Sequence, residues 1–283
     1  VGRAYDSAMK IETLAFGFGL IEGPRVDPEG NLYFSDVTNG GVFRRSPSGA
    51  IETVVPRRRG VGGIAIHADG GIVISGRNVC HVRDGATRVL FARDDVPGWN
   101  DLFTDAQGRV YTGSMLSNPF GDERERKLGE CFRIEAEGRA TPLYGGVSLS
   151  NGIGFSPDGR RIYHSDTAKS LVHVHVLDAA GRAKPLAPIL VEGSPDGLAV
   201  DAEGFVWVAL YREGAIARFS PDGSPDRRIE VPAKAVTSLC FGGPDLRDLY
   251  VVSADNTEDP SRNGSIFRMR SDVAGLAAPL ARI

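Results

Sequence analysis

A short motif recurs along this chain: an alternating apolar stretch, a turn built on Asp or Pro-Asp and closed by Gly, then a second alternating stretch. The clear copies are VDPEGNLYFSDV from Val26, IHADGGIVISG from Ile66, TDAQGRVYTGS from Thr104, SPDGRRIYHSD from Ser156 and VDAEGFVWVAL from Val200. A looser sixth, CFGGPDLRDLYVVSA, starts at Cys240. The turn glycines Gly30, Gly70, Gly108, Gly159 and Gly204 are spaced by 40, 38, 51 and 45 residues. Alternation marks strands, and Gly supplies the positive φ of a tight hairpin. Repeats of about 40–50 residues built from short strands are propeller blades. A second hairpin follows each copy, as in GVFRRSPSGAIETVV, CFRIEAEGRATPLY and AIARFSPDGSPDRRIEV, so each unit holds four antiparallel strands. The expected fold is all-β: one six-bladed β-propeller domain over residues 1–283 with a central channel. A strand near residues 10–16 pairs with the last blade, because an open ring leaves two unpaired edges. No stretch has a helical period. The polar segment Ser117–Lys127 lengthens the third unit and reads as a loop over one end of the channel.

The repeat also serves as a ruler. Eight residues before each turn glycine stand Glu22, Gly62, Asn100, Asn151 and Asp196, and aligning Leu239 with Leu198 puts Thr237 in the sixth place. Equivalent positions in a propeller form a ring about the axis, here at the start of the innermost strands. Four of its six members are carboxylates or amides, which ordinary strand starts do not place in phase. A carboxylate pair in a narrow channel repels itself, and a bound divalent cation relieves the repulsion. Glu22, Asn151 and Asp196 offer only oxygen, which favours one hard cation: Ca²⁺ first, then Mg²⁺ or Mn²⁺, with Zn²⁺ also possible although it prefers His or Cys. Asn100 is a fourth ligand or holds a water or the substrate.

Composition excludes other classes. Net charge is −3 with no dominant basic face, and Arg57-Arg58-Arg59 reads as a solvated loop, so no nucleic acid partner is expected. Cys80, Cys131 and Cys240 are odd in number and form no CxxC, which argues against a disulfide framework or a thiolate zinc site. There is no signal-like start and no membrane-length apolar run, so a soluble protein of a reducing, cytoplasmic compartment with no membrane partner is expected. No GxSxG elbow is present. Among the five histidines only His164 lies where it could approach the ring. Oligomeric state is not legible.

The stretches IEGPRVDPEGNLYFSDV, NDLFTDAQGRVYTGSM, LSNGIGFSPDGRRIYHSDT and SPDGLAVDAEGFVWVALY together resemble the senescence-marker-protein (regucalcin)/gluconolactonase family. The resemblance spans Ile21 to Tyr211 and extends through CFGGPDLRDLYVVSA. It implies a six-bladed propeller whose Glu, Asn, Asp metal triad falls on Glu22, Asn151 and Asp196, and whose channel Asn followed by Asp falls on Asn100 and Asp101. Members open sugar lactones, and relatives hydrolyse other lactones or organophosphates. One departure concerns specificity. Where sugar-lactone members carry Arg two residues before the channel Asn, this chain has Gly98, followed by Trp99, and an acidic lid residue is replaced near Asn118. Trp99, Asn118, Asn100 and Asp101 are therefore the expected substrate contacts, for a flatter and less hydroxylated lactone than gluconolactone.

The expected chemistry is attack of water on a cyclic ester polarised by the cation. Asp196 takes the proton and Asn100 orients water or substrate, with Asp101 and His164 next in line as base. A phosphotriesterase using the same site, and a calcium-binding propeller without turnover, are the alternative readings.

Overall fold

The computed structural model describes residues 10–118 and 126–283. Six antiparallel sheets follow one another along the chain. Blade 1 comprises Ile21–Val26, Leu32–Asp36, Val42–Arg45 and Ile51–Val55. Blade 2 comprises Ile64–Ile66, Ile72–Ile74, Val79–Arg83 and Ala86–Phe91. Blade 3 comprises Gly98–Thr104, Val110–Met115, Gly129–Ile134 and Ala140–Val147. Blade 4 comprises Ser150–Phe155, Arg161–Asp166, Leu171–Leu177 and Ala183–Pro185, with the short Ile189–Leu190 as an extra outer strand. Blade 5 comprises Pro195–Val200, Val206–Leu210, Ala215–Phe219 and Pro225–Glu230. Blade 6 comprises Val236–Gly242, Asp248–Ser253 and Gly264–Arg270, and its fourth strand is Glu12–Phe18 from the other end of the chain. That strand runs antiparallel to Gly264–Arg270, with Glu12 opposite Arg268. It thus closes the ring two residues later than the sequence suggests. Among the described residues the only helical elements are three short 3-10 turns.

The core is distributed as six apolar clusters, one at each interface between neighbouring blades. Blades 1 and 2, for example, meet through Tyr33 and Val42 against Ile64, Ile72 and Cys80. Strand alternation explains this: each blade has two faces, both covered by neighbours, so both phases of the inner strands are buried. The turn glycines sit where they were expected, Gly30, Gly70, Gly108, Gly159 and Gly204 all having φ between 68° and 92°.

Each inner strand begins within two residues of its ring residue and ends at its turn, so the channel has a mouth end and a turn end. A segment with no signal in the repeat covers the turn end. Residues 271–283 run beneath it, with Leu276 N donating to Val200 O, Ala281 N to Ile66 O and Arg282 N to Gly108 O. Between this segment and the strands lies a cavity of about 320 Å³, lined by Phe103, Phe155, Leu198, Phe241 and Leu276 and reached by Arg25.

Candidate active site

The inner strands break register with their neighbours at the mouth. The irregularities fall between Glu22 and Arg25, Trp99 and Leu102, Ser150 and Ile153, Pro195 and Leu198, and Val236 and Ser238. A bulge leaves residues unpaired and re-aims their side chains. Glycine follows the ring residue in four blades, as Gly23, Gly63, Gly152 and Gly197. A Cβ on Gly152 would lie 2.3 Å from Leu198 N, and one on Gly197 2.1 Å from Ser238 Oγ. These glycines let the inner strands close on one another, so the ring is narrow. Gly62 has a different use: a Cβ there would stand 2.0 Å from Asn100 Oδ1, so blade 2 yields its ring place to the Asn100 side chain.

The polar members interact. Asn100 Nδ2 donates to Asn151 Oδ1 at 2.6 Å and to the Ser150 carbonyl at 2.7 Å. Asn151 Nδ2 donates to Thr167 Oγ1 at 2.8 Å. Glu22, Asn151 and Asp196 are buried and Asn100 is half-buried. Glu22 Oε2 accepts only a long 3.3 Å bond from Gly23 N, and Asp196 Oδ1 is buried without a hydrogen-bond partner. Burial, then the charges of Asp196 and Asp101, push the Glu22 carboxyl well above its usual range. Burial, then Asp101, does the same to Asp196. Two carboxylates gathered with amides in a desolvated ring, one with an orphaned oxygen, form an oxygen-only donor set that suits a hard divalent cation. No group of three or more His, Cys, Asp or Glu among the described residues is arranged to hold a metal, so any such site depends on the amides.

One expected substrate contact lies elsewhere. Trp99 is wholly buried in the cluster between blades 2 and 3, its ring 4.8 Å from Phe91 and 5.4 Å from Phe132. Strand alternation turns it away from the channel as it turns Asn100 in, and the inferred flat, apolar substrate loses its support. Asp101 is also buried. Its Oδ1 accepts from Leu102 N at 2.7 Å and pairs with Arg25 Nη2 at 3.5 Å, a contact between blades 3 and 1. Burial raises its carboxyl while Arg25 opposes the shift. Asn118 is exposed after the second strand of blade 3, where its carbonyl accepts from Arg126 Nη1. Most of the loop expected over the channel, residues 119–125, lies outside the described residues, and Ser117 Oγ accepts from Lys127 N at its base.

Other residues were misjudged or missed. Thr237 occupies the sixth ring place, but its hydroxyl serves the strands, with Ile21 O and Val252 O as partners. His164 is buried behind the ring, Nε2 2.8 Å from Ser150 Oγ and Nδ1 3.0 Å from Tyr144 Oη. Burial pushes it down to about 3, so the ring is neutral, and it touches the mouth only through Ser150. Tyr211, just past the second strand of blade 5, was not singled out. Burial, then the charges of Asp196 and Glu22, raise its phenol, so it lies within electrostatic reach of both carboxylates. Its position immediately after VWVAL at the mouth end was the available signal.

A family model described as the SMP-30/gluconolactonase/LRE-like region matches residues 20–255. A pentonolactonase of Haloferax volcanii is 32% identical over 279 residues, 92% of this chain and 93% of its own. A 6-deoxy-6-sulfogluconolactonase of Pseudomonas putida is 32% identical over 268 residues, 88% of this chain and 90% of its own. Among solved structures, a calcium-binding protein, regucalcin, of Agrobacterium tumefaciens superimposes with a TM-score of 0.83 at 27% identity, covering 98% of both chains. A luciferin-regenerating enzyme shares the fold with a TM-score of 0.87 at 24% identity, over 98% of this chain and all of the other.

Proposed function

This chain belongs to the SMP-30/gluconolactonase/LRE-like family, and from that premise we propose that it hydrolyses a lactone at the mouth of its channel, with a sugar lactone as the substrate class. The carrying observation is the convergence of Glu22, Asn100, Asn151 and Asp196 on one ring, with Asp196 Oδ1 buried and unpartnered. Two relatives named for sugar lactones support the substrate class. Glu22, Asn151 and Asp196 would hold the divalent cation, Ca²⁺ before Mg²⁺, Mn²⁺ or Zn²⁺, and a relative named as calcium-binding supports that order. When bound, the cation supplies Lewis-acid polarisation of the ester carbonyl.

The chain's own groups do the rest. Asp196 accepts the proton of the attacking water and returns it to the ring oxygen as the C–O bond breaks, giving the open hydroxy acid. Asn100, the least buried of the four, orients water or substrate. The narrow, walled mouth strengthens each of these polar contacts by excluding bulk water. Gly98 brings no guanidinium to the rim, so hydroxyl recognition falls to the amides and to Tyr211.

The test is a hydrolysis assay over pentono- and hexonolactones, unsubstituted lactones and phosphotriesters, with and without EDTA. A sugar lactone should give the highest kcat/KM, activity should vanish with EDTA, and added Ca²⁺ or Mn²⁺ should restore it. Full lactone turnover in EDTA would sink the cation, and no turnover of any lactone with metal present would sink the reaction.

A further inference from the structure

The two ring amides belong to a hydrogen-bond chain that starts and ends on main-chain carbonyls. A carbonyl oxygen only accepts, and a hydroxyl has one proton to give. Thr167 Oγ1 lies 2.6 Å from the Pro195 carbonyl oxygen, so its proton is committed there. The Asn151 atom 2.8 Å from that same hydroxyl must therefore be the donor, Nδ2. At the other end Asn100 stands 2.7 Å from the Ser150 carbonyl, which again requires Nδ2. The second proton of that nitrogen goes to Asn151 Oδ1 at 2.6 Å. Every link has one polarity. Flipping Asn151 would set its oxygen against a hydroxyl with no proton to offer, and its NH₂ against the NH₂ of Asn100. Both bonds would become repulsive contacts in a poorly solvated place, where water does not replace an unmade hydrogen bond.

Thr167 itself is not a ring residue. It opens the 3-10 turn Thr167–Lys169 directly after the second strand of blade 4, and it spans from the Asn151 side chain of blade 4 to the Pro195 carbonyl of blade 5. We infer that Thr167 is a positioning residue: acting through Asn151, it keeps the amide oxygen, and not the NH₂, turned toward the channel. The inference rests on the reading that the ring takes a divalent cation, for which only the oxygen of an amide is a ligand. It adds a residue that neither the repeat nor the family pattern singles out. Partners that orient ligands from behind typically change metal affinity about 10- to 100-fold when removed.

Thr167→Val keeps the side-chain shape and removes both the donor and the acceptor. Thr167→Ser keeps both. The experiment titrates EDTA-stripped wild type and each variant with Ca²⁺ by calorimetry, with melting curves to verify folding. We expect Thr167→Val to weaken binding about 10- to 100-fold and Thr167→Ser to stay close to wild type. Equal affinity in wild type and Thr167→Val overturns the inference, and so does Thr167→Ser binding as weakly as Thr167→Val. If Thr167→Val does not fold, Thr167→Ala takes its place with the same expectation. If the folded wild type takes up no Ca²⁺, Mn²⁺ or Zn²⁺, the cation reading fails separately. The orientation is then decided by the Asn151 side-chain NH₂ resonances, assigned by their loss in Asn151→Asp. They should exchange slowly in wild type and Thr167→Ser and rapidly in Thr167→Val; slow exchange in all three overturns the inference.

Discussion

Asp196 and Asp201 lie five residues apart on one stretch of blade 5, both buried, and they are treated in opposite ways. Asp201, at the turn end, is saturated. Its Oδ1 accepts from Glu203 N and Phe205 N, and its Oδ2 from Trp207 Nε1 at 2.9 Å and Arg218 Nε at 2.8 Å. Arg218 is in turn shared with Glu203 and Asp226. Asp196, at the mouth, has an oxygen with no partner and other carboxylates for neighbours. A buried carboxylate whose bonds are all made is part of the scaffold. One left unsatisfied, among like charges, is held in place by the rest of the fold and is free for chemistry. The same contrast divides the two ends of the channel: an apolar, tail-covered cavity below, and a polar ring pinched by bulges above.

Asn substitutions at the two aspartates test that contrast, and the largest effect belongs to the mouth. In Asp196→Asn the amide keeps the shape and an oxygen, but it cannot take a proton from water. With cation saturating, kcat should fall about 10²- to 10⁴-fold. The melting temperature should hold, because a repelled charge has been removed. Full recovery of rate with excess cation would reduce Asp196 to a ligand and break the assignment. Asp201→Asn should do the reverse. It removes the charge facing buried Arg218 and two of the four accepted bonds, since each oxygen accepts two, a loss of about 3 kcal/mol by analogy with other broken buried pairs. Denaturant unfolding reads that loss, while kcat/KM of the folded protein stays near wild type. A mouth-like loss of rate in Asp201→Asn would erase the distinction between the ends.

Much of this was legible because a repeat converts sequence position into spatial position. The turn glycines gave blade count, strand phase and the ring, and Glu22, Asn100, Asn151 and Asp196 fell on it together. The errors began where the inner strands stop being regular. A bulge at the ring residue is not visible as alternation, so Trp99, beside Asn100 in sequence, read as a neighbour in the channel when it belongs to the core between blades 2 and 3. The glycines at 23, 63, 152 and 197 were the missed sign: three of them follow a carboxylate or amide of the ring, and a glycine there means close strand approach. Asp101 was ambiguous for a related reason. Its partner Arg25 lies 76 residues earlier, and no local pattern announces a contact between blades. The segment 271–283 carries no repeat, and its place beneath the channel comes from main-chain bonds to turns of other blades and from the packing of Leu276, Ala281 and Ile283, none of which a local pattern announces.

The satisfied-versus-unsatisfied comparison recurs at a smaller scale in two buried histidines of blade 4. His164 has partners on both ring nitrogens, whereas His175 Nδ1 is buried with none. Burial, and then the charge of neighbouring His173, push His175 down to about 4. His173 itself lies 3.2 Å from Asp166. A histidine ordinarily titrates near 6.5, so the unfolded chain binds a proton at His175 well before the folded one does. The contribution of neutral His175 is therefore intact above about pH 6.5 and is lost as pH falls toward its folded value, at a rate that amounts to about 1–2 kcal/mol by pH 5. His175→Phe removes the titration and the orphaned nitrogen while keeping a ring to stack on Tyr144, whose centroid lies 3.7 Å away at 12°. Wild type should lose more melting temperature between pH 7.5 and pH 5 than His175→Phe does, by about 2–6 °C for a chain of this size. The variant should retain some acid sensitivity, because His164, pushed down to about 3, still titrates in the same direction. Equal acid losses in the two proteins would mean that His175 gains its proton as easily folded as unfolded, and that its buried, unpartnered nitrogen carries no energetic cost.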